Sequence, residues 1–148
     1  MNLGPFTDLF IIGANRGANG ASDFTVAGLQ QDFTLMTPAA GDQIIYPLCA
    51  AFTKVGFVGG ALSAIALDLG RGAGGAEGML DGAMFAAGAS AVAIGTAGTG
   101  GPAVFNGSQV LNARVDATGA NLNLITAGEI WIFVNIFRLR NYVAAVNA

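Results

Sequence analysis

Gly128-Glu129-Ile130-Trp131-Ile132-Phe133-Val134-Asn135-Ile136-Phe137-Arg138-Leu139-Arg140 is the stretch that decides the fold. Between Glu129 and Leu139 it is a mixture of β-branched and aromatic residues with one Asn and one Arg, which suits a pleated strand far better than a helix. Side chains alternate along a strand, so Ile130, Ile132, Val134, Ile136 and Arg138 share one face and Trp131, Phe133, Asn135, Phe137 and Leu139 the other. Both faces are apolar. Such a strand is central to a sheet covered on both sides, or its second face is covered by another subunit. Trp131, Phe133 and Phe137 are therefore either sandwich core or an intersubunit contact, because aromatic side chains anchor interfaces as well as interiors.

Upstream, the chain breaks into short apolar runs separated by turn residues. Phe6–Ile12 reads as a strand behind an N-terminal arm at 1–5, and the loop Gly13–Ser22 carries Arg16 at its tip, a solvated charge or a grip on a neighbouring subunit. Asp23–Met36 fits one bulged strand or two short ones joined near Gln30-Gln31-Asp32. Pro47 interrupts the apolar run Gln43–Phe52 and marks an edge or a bulge, since it donates no ladder hydrogen bond. Lys54–Val58 follows as a strand. Ala61–Leu69 fits a strand with one buried face, and equally a short helix. Met79–Ala87 suggests a short helix or irregular connection, and Ala91–Ile94 a brief strand. Asn106-Gly107 between apolar runs signals a hairpin from Ala103–Phe105 into Ser108–Asp116. Asn121–Leu124 leads through Ala127-Gly128 into the last strand. Eight to ten short strands with frequent turns describe an all-β sandwich in a single domain, 1–148.

Composition narrows the function. Charged residues make up only 10% of the chain against about 25% in ordinary soluble domains, and hydrophobic residues 53%, so the surface calls for a cover. That cover is not nucleic acid, because six basic residues against nine acids form no basic stripe. It is not a bilayer crossed by a helix: the best apolar window, Val55–Leu67, falls short of the ~20 residues such a span needs. The N-terminus, with Asp8 and no basic n-region, does not resemble a signal peptide. Cys49 is the only cysteine and reads as a small buried hydrophobe, so neither a disulfide framework nor a cysteine metal cluster is available.

Catalytic constellations are missing as well. Without histidine there is no Ser-His or Cys-His pair, and Lys54 has no nucleophile beside it. Gly70, Gly72 and Gly75 satisfy G-x-G-x-x-G, but a dinucleotide site also needs a helix directly behind the glycines and an acid about 20 residues on, and 82–113 contains no acid. Asp68, Glu77 and Asp81 lack the alternation of a calcium loop. Glu129 is expected to end its ladder in solvent. The expectation is a non-enzyme with no cofactor and no metal.

From Ala61 to Leu139 the sequence resembles small structural proteins of tailed bacteriophages. The resemblance lies in A-L-S-A-I-A-L-D-L-G leading into a glycine-rich loop, and above all in Val115-Asp116-Ala117-Thr118-Gly119-Ala120-Asn121-Leu122-Asn123-Leu124-Ile125-Thr126-Ala127-Gly128-Glu129-Ile130. It implies a jelly-roll sandwich of about eight strands and a virion component: a capsid decoration (cement) protein, usually a homotrimer, that binds the major capsid protein on the outer head surface. Members of this group also serve as tail or fibre modules. A receptor- or glycan-binding module using the loops Gly13–Ser22 and Gly70–Gly78 is the alternative. The interface residues expected from sequence are Trp131, Phe133, Phe137 and Arg16.

Overall fold

A computed structural model describes residues 6–14, 22–37, 39–71, 78–94, 103–104 and 109–138, with the backbone alone at 22, 43–48, 78, 93–94 and 103–104. Its strands are β1 (Asp8–Gly13), β2 (Ser22–Asp23), β3 (Gln30–Met36), β4 (Gln43–Val58), β5 (Ala64–Arg71), β6 (Gly78–Ala86), β7 (Val92–Ile94), β8 (Ala103–Val104), β9 (Leu111–Thr118) and β10 (Ala127–Phe137). One 3-10 turn, Leu122–Leu124, precedes β10, and among the described residues there is no α-helix.

Two sheets form. One runs β2-β1-β10-β4-β7 with β8 also on β4; the other runs β3-β9-β5-β6. β10 is central, antiparallel to β1 on one side and to β4 on the other. β7 pairs with β4 at Phe52–Ala50 and β8 pairs with it at Ile44–Gln43, both antiparallel and both on the edge that β10 leaves free. They are two pieces of one interrupted strand. Counting them as one and setting aside the two-residue β2 gives eight strands. The first, eighth, third and sixth then lie side by side in one sheet, and the second, seventh, fourth and fifth in the other. This is the strand order of a jelly roll, in which the chain passes repeatedly from sheet to sheet and so wraps a single core.

The inward faces follow the alternation in the sequence. Ile130, Ile132, Val134 and Ile136 of β10 are buried, and they face Ile65, Leu67 and Leu69 of β5 and Leu111, Ala113 and Val115 of β9 across the core. At one end Phe57 stacks on Phe24 at 5.6 Å, and Phe24 meets Phe33 at 6.0 Å. The packing against Phe57 explains Gly128. A Cβ there would lie 2.0 Å from Phe57 Cδ1, and φ is +141°, so only glycine lets the ring lie on the β10 backbone.

Several expectations are corrected. Met79–Ala87 is not a helix but most of β6. Its period-2 pattern is broken by a bulge: Leu67 pairs with Ala83 and Leu69 with Leu80, which sets Asp81 and Gly82 opposite Asp68. Gly82 takes φ +60° there, and its N–H donates to Asp68 Oδ1 at 2.5 Å. A second register shift, from Leu69/Leu80 to Gly70/Gly78, leaves Met79 beside Leu80 in the core, and that spacing imitates a helical face. The hairpin expected at Asn106-Gly107 does not form either, because β8 belongs to β4 whereas β9 pairs with β3 and β5 in the opposite sheet; the Asn-Gly pair itself lies outside the described residues. Within Ala61–Leu69 the strand alternative holds from Ala64 on, as β5, and Leu122–Leu124 form the 3-10 turn. Pro47 sits inside β4 where the register with β10 jumps from Val134/Cys49 to Ile136/Ile44, so it marks a bulge.

Candidate functional site

Because Ile130, Ile132, Val134 and Ile136 point inward, the alternate residues of β10 form the outer face of the six-stranded sheet. The register extends that face sideways in two rows. Leu9 of β1, Phe133 of β10 and Ala50 of β4 make one; Ile11, Trp131, Phe52 and Val92 of β7 make the other. All but Val92 are half-buried, and Val92 is 72% exposed.

The rings in these rows hold one another. Phe52 and Phe133 stack at 5.6 Å with 9° between their planes, and Trp131 tilts against Phe52 at 5.8 Å and Phe133 at 6.3 Å. Phe6 closes the cluster at 5.5 Å from Phe133. Such pairs contribute about 0.5–1.5 kcal/mol each beyond the area they bury. Lys54 places its Nζ 5.6 Å from the Trp131 ring centroid, a cation–π contact. Trp131 Nε1 donates a hydrogen bond to Glu129 Oε1. Glu129 is 2% exposed, which corrects the expectation that it ends the ladder in solvent.

Of the interface residues expected from sequence, Trp131 and Phe133 lie together at the middle of this face. Phe137 has the same parity and stands at the end of β10, 37% exposed. Arg16 lies outside the described residues. Sequence reasoning missed Leu9, Ile11, Phe52, Lys54 and Val92, whose common face is fixed by cross-strand register.

The other sheet presents a different outer surface. Arg114 of β9 holds Asp32 of β3 through Nε at 2.6 Å and Nη2 at 2.9 Å, with Asp68 of β5 opposite it on the other side. Gln30 Nε2 donates to Asp116 Oδ1 at 2.7 Å. The hydrogen bond from Arg114 holds the Asp32 carboxyl below its ordinary value, and the same bond raises Arg114. At the end of the first sheet Arg138 grips Asp8 at 2.9 Å and 3.2 Å, and that bond raises Arg138. Thr7 Oγ1 accepts from Ile136 N at 2.8 Å, so the start of β1 is tied to the end of β10.

Among the described residues no group of three His, Cys, Asp or Glu could hold a metal ion, and no helix is long and apolar enough to cross a membrane. Asp68 accepts from Gly82 N at the β6 bulge, and the described chain beyond the glycines at 70–75 resumes as strand β6, Gly78–Ala86, where a nucleotide fingerprint calls for a helix. What the geometry offers is a preformed aromatic surface. Comparison with protein-family models, characterised proteins and solved structures found no match to this chain.

Proposed function

We propose that this chain is a structural component of a virus particle: a capsid decoration protein that binds the outer surface of a phage head as a homotrimer and stabilises it by bridging major capsid subunits. The observation that carries the reading is the outer face of the six-stranded sheet, where Trp131, Phe133 and Phe52 form a fixed ring cluster with Leu9, Ile11 and Val92 around it. A face of this kind contributes by burying apolar area, worth about 25 cal/mol per Å² before the costs of association are subtracted. The jelly-roll strand order and the phage-like sequence from Ala61 to Leu139 support the same reading, and it requires no covalent step.

Stoichiometry in purified particles tests it. A cement protein is expected in copy numbers of the same order as the major capsid protein, on the head. A few copies per particle, located on the tail, would overturn the decoration reading in favour of a receptor- or glycan-binding tail module.

A further inference from the structure

We infer that the outer face of the six-stranded sheet is covered, in the working protein, by a second copy of this chain. The inference deepens the reading above by assigning the self-contact to one surface, and it can stand or fall separately, since assembly in solution does not depend on a capsid.

Size is the first argument. Four strands about 4.8 Å apart and nine residues at about 3.4 Å each give this face a footprint of about 500–600 Å². Covering it between two copies removes about 1,000–1,200 Å² in total, the threshold for a specific interface, and the face itself stands at the upper end of the about 300–600 Å² spanned by the largest patch of a typical monomer, a patch that is often functional.

Charge is the second. On β1, β10, β4 and β7 the described outward positions carry only Lys54 and Glu129 as charges; Lys54 lies over Trp131, and Glu129 is buried while accepting from the same ring. A partner selected by charge would find little to read. An anionic lipid surface is disfavoured too, because the face offers a single cation and the chain carries a net charge of −3. A second copy brings a surface equally poor in charge, since charged residues make up 10% of the chain, and a head-to-tail contact repeated around the trimer covers this face on every copy.

Shape is the third. Large and small residues alternate on β4, Phe52 beside Ala50, and Phe133 lies across from Ala50, so the face has ridges and hollows that a partner's rings can enter. The rings are already stacked in the single chain, which lowers the ordering cost of association.

The test is the solution mass of the purified full chain by light scattering after size exclusion, with Val92→Glu and Phe133→Glu as variants. Val92 is 72% exposed in the single chain, so its replacement leaves the fold intact and affects only a covered face. Wild type is expected at a multiple of 14.8 kDa, and each variant at the single-chain mass, or associating about tenfold or more weakly, with an unchanged circular dichroism spectrum. Met84→Glu, on the opposite sheet, is expected to assemble like wild type. A wild-type mass of one chain at the highest soluble concentration would overturn the inference, as would a Val92→Glu protein that assembles like wild type. Single chains that sediment with phosphatidylcholine–phosphatidylglycerol vesicles would assign the face to lipid and overturn it as well.

Discussion

The two sheets share one core but end differently at their outer surfaces. On the four-stranded sheet, Asp32, Arg114, Asp68, Gln30 and Asp116 form pairs that water tolerates, and the exposed strand β6 is bent by a bulge at Gly82. Bulges and charges are the usual means of keeping a sheet from recruiting another. On the six-stranded sheet, Leu9, Ile11, Phe52, Trp131 and Phe133 stand where solvent-facing residues would be expected. The first surface is built mainly of charges, with Met84 of β6 exposed beside them, and the second mainly of rings and aliphatic side chains. The difference is what the proposal rests on: in it the aromatic sheet holds the assembly together and the charged sheet faces outward.

The comparison can be broken most severely from inside. Gly128→Ala forces a Cβ into Phe57 at a positive φ, and is expected to cost about 3 kcal/mol or more, read as a large fall in the denaturation midpoint. Because β10 lies between β1 and β4, the aromatic face should be lost with it. Trp131→Ala comes next. It removes the ring that touches Phe52, Phe133 and Lys54 and takes one donor from the buried Glu129 carboxylate, for about 2 kcal/mol of stability and loss of assembly. Asp68→Ala, on the other sheet, frees the Gly82 N–H at the bulge and should cost about 1 kcal/mol without changing the oligomeric mass.

The smallest effect is Arg114→Ala. The Asp32 side chain is 41% exposed, so solvent screens the pair and its contribution to stability is small. Its sign with pH is fixed. Asp32 is held below its ordinary value of 3.8 when folded, so its contribution is present above that value and is lost as pH falls through the lower folded value. Wild type and Arg114→Ala should therefore differ slightly at neutral pH and converge in acid, as thermal melts across that range would register.

How much of this was legible in the sequence follows from how local each signal is. The alternation in β10 is carried within a single strand, and it separated Ile130, Ile132, Val134 and Ile136 from Trp131 and Phe133; because both sets are apolar it did not say which faces the core, and the structure puts the first set inward. In β6 bulges made local periodicity mislead, because Met79 and Leu80 are both buried and the pattern looks helical, whereas the bulge in β4 was announced by Pro47. The Asn-Gly pair misled because strand pairing is decided by distant partners, and β4 took β8. The site was half visible for the same reason. Trp131 and Phe133 announce themselves on one strand, but Phe52 reaches them from 79 residues away in sequence through the β4–β10 register. Glu129 looked like a strand-end charge, and its burial depends on a hydrogen bond from Trp131 that spacing alone does not specify.

Trp131 is the only tryptophan in the chain and sits in the middle of the aromatic face, so its fluorescence reports on that face alone. The most direct measurement is quenching of this fluorescence by acrylamide, in wild type and in Val92→Glu, over a range of protein concentration. If protein covers the face, quenching of wild type falls and emission shifts to the blue as concentration rises, while Val92→Glu stays accessible throughout. Equal quenching of the two proteins at every concentration would mean that the aromatic sheet stands bare, and would contradict the account.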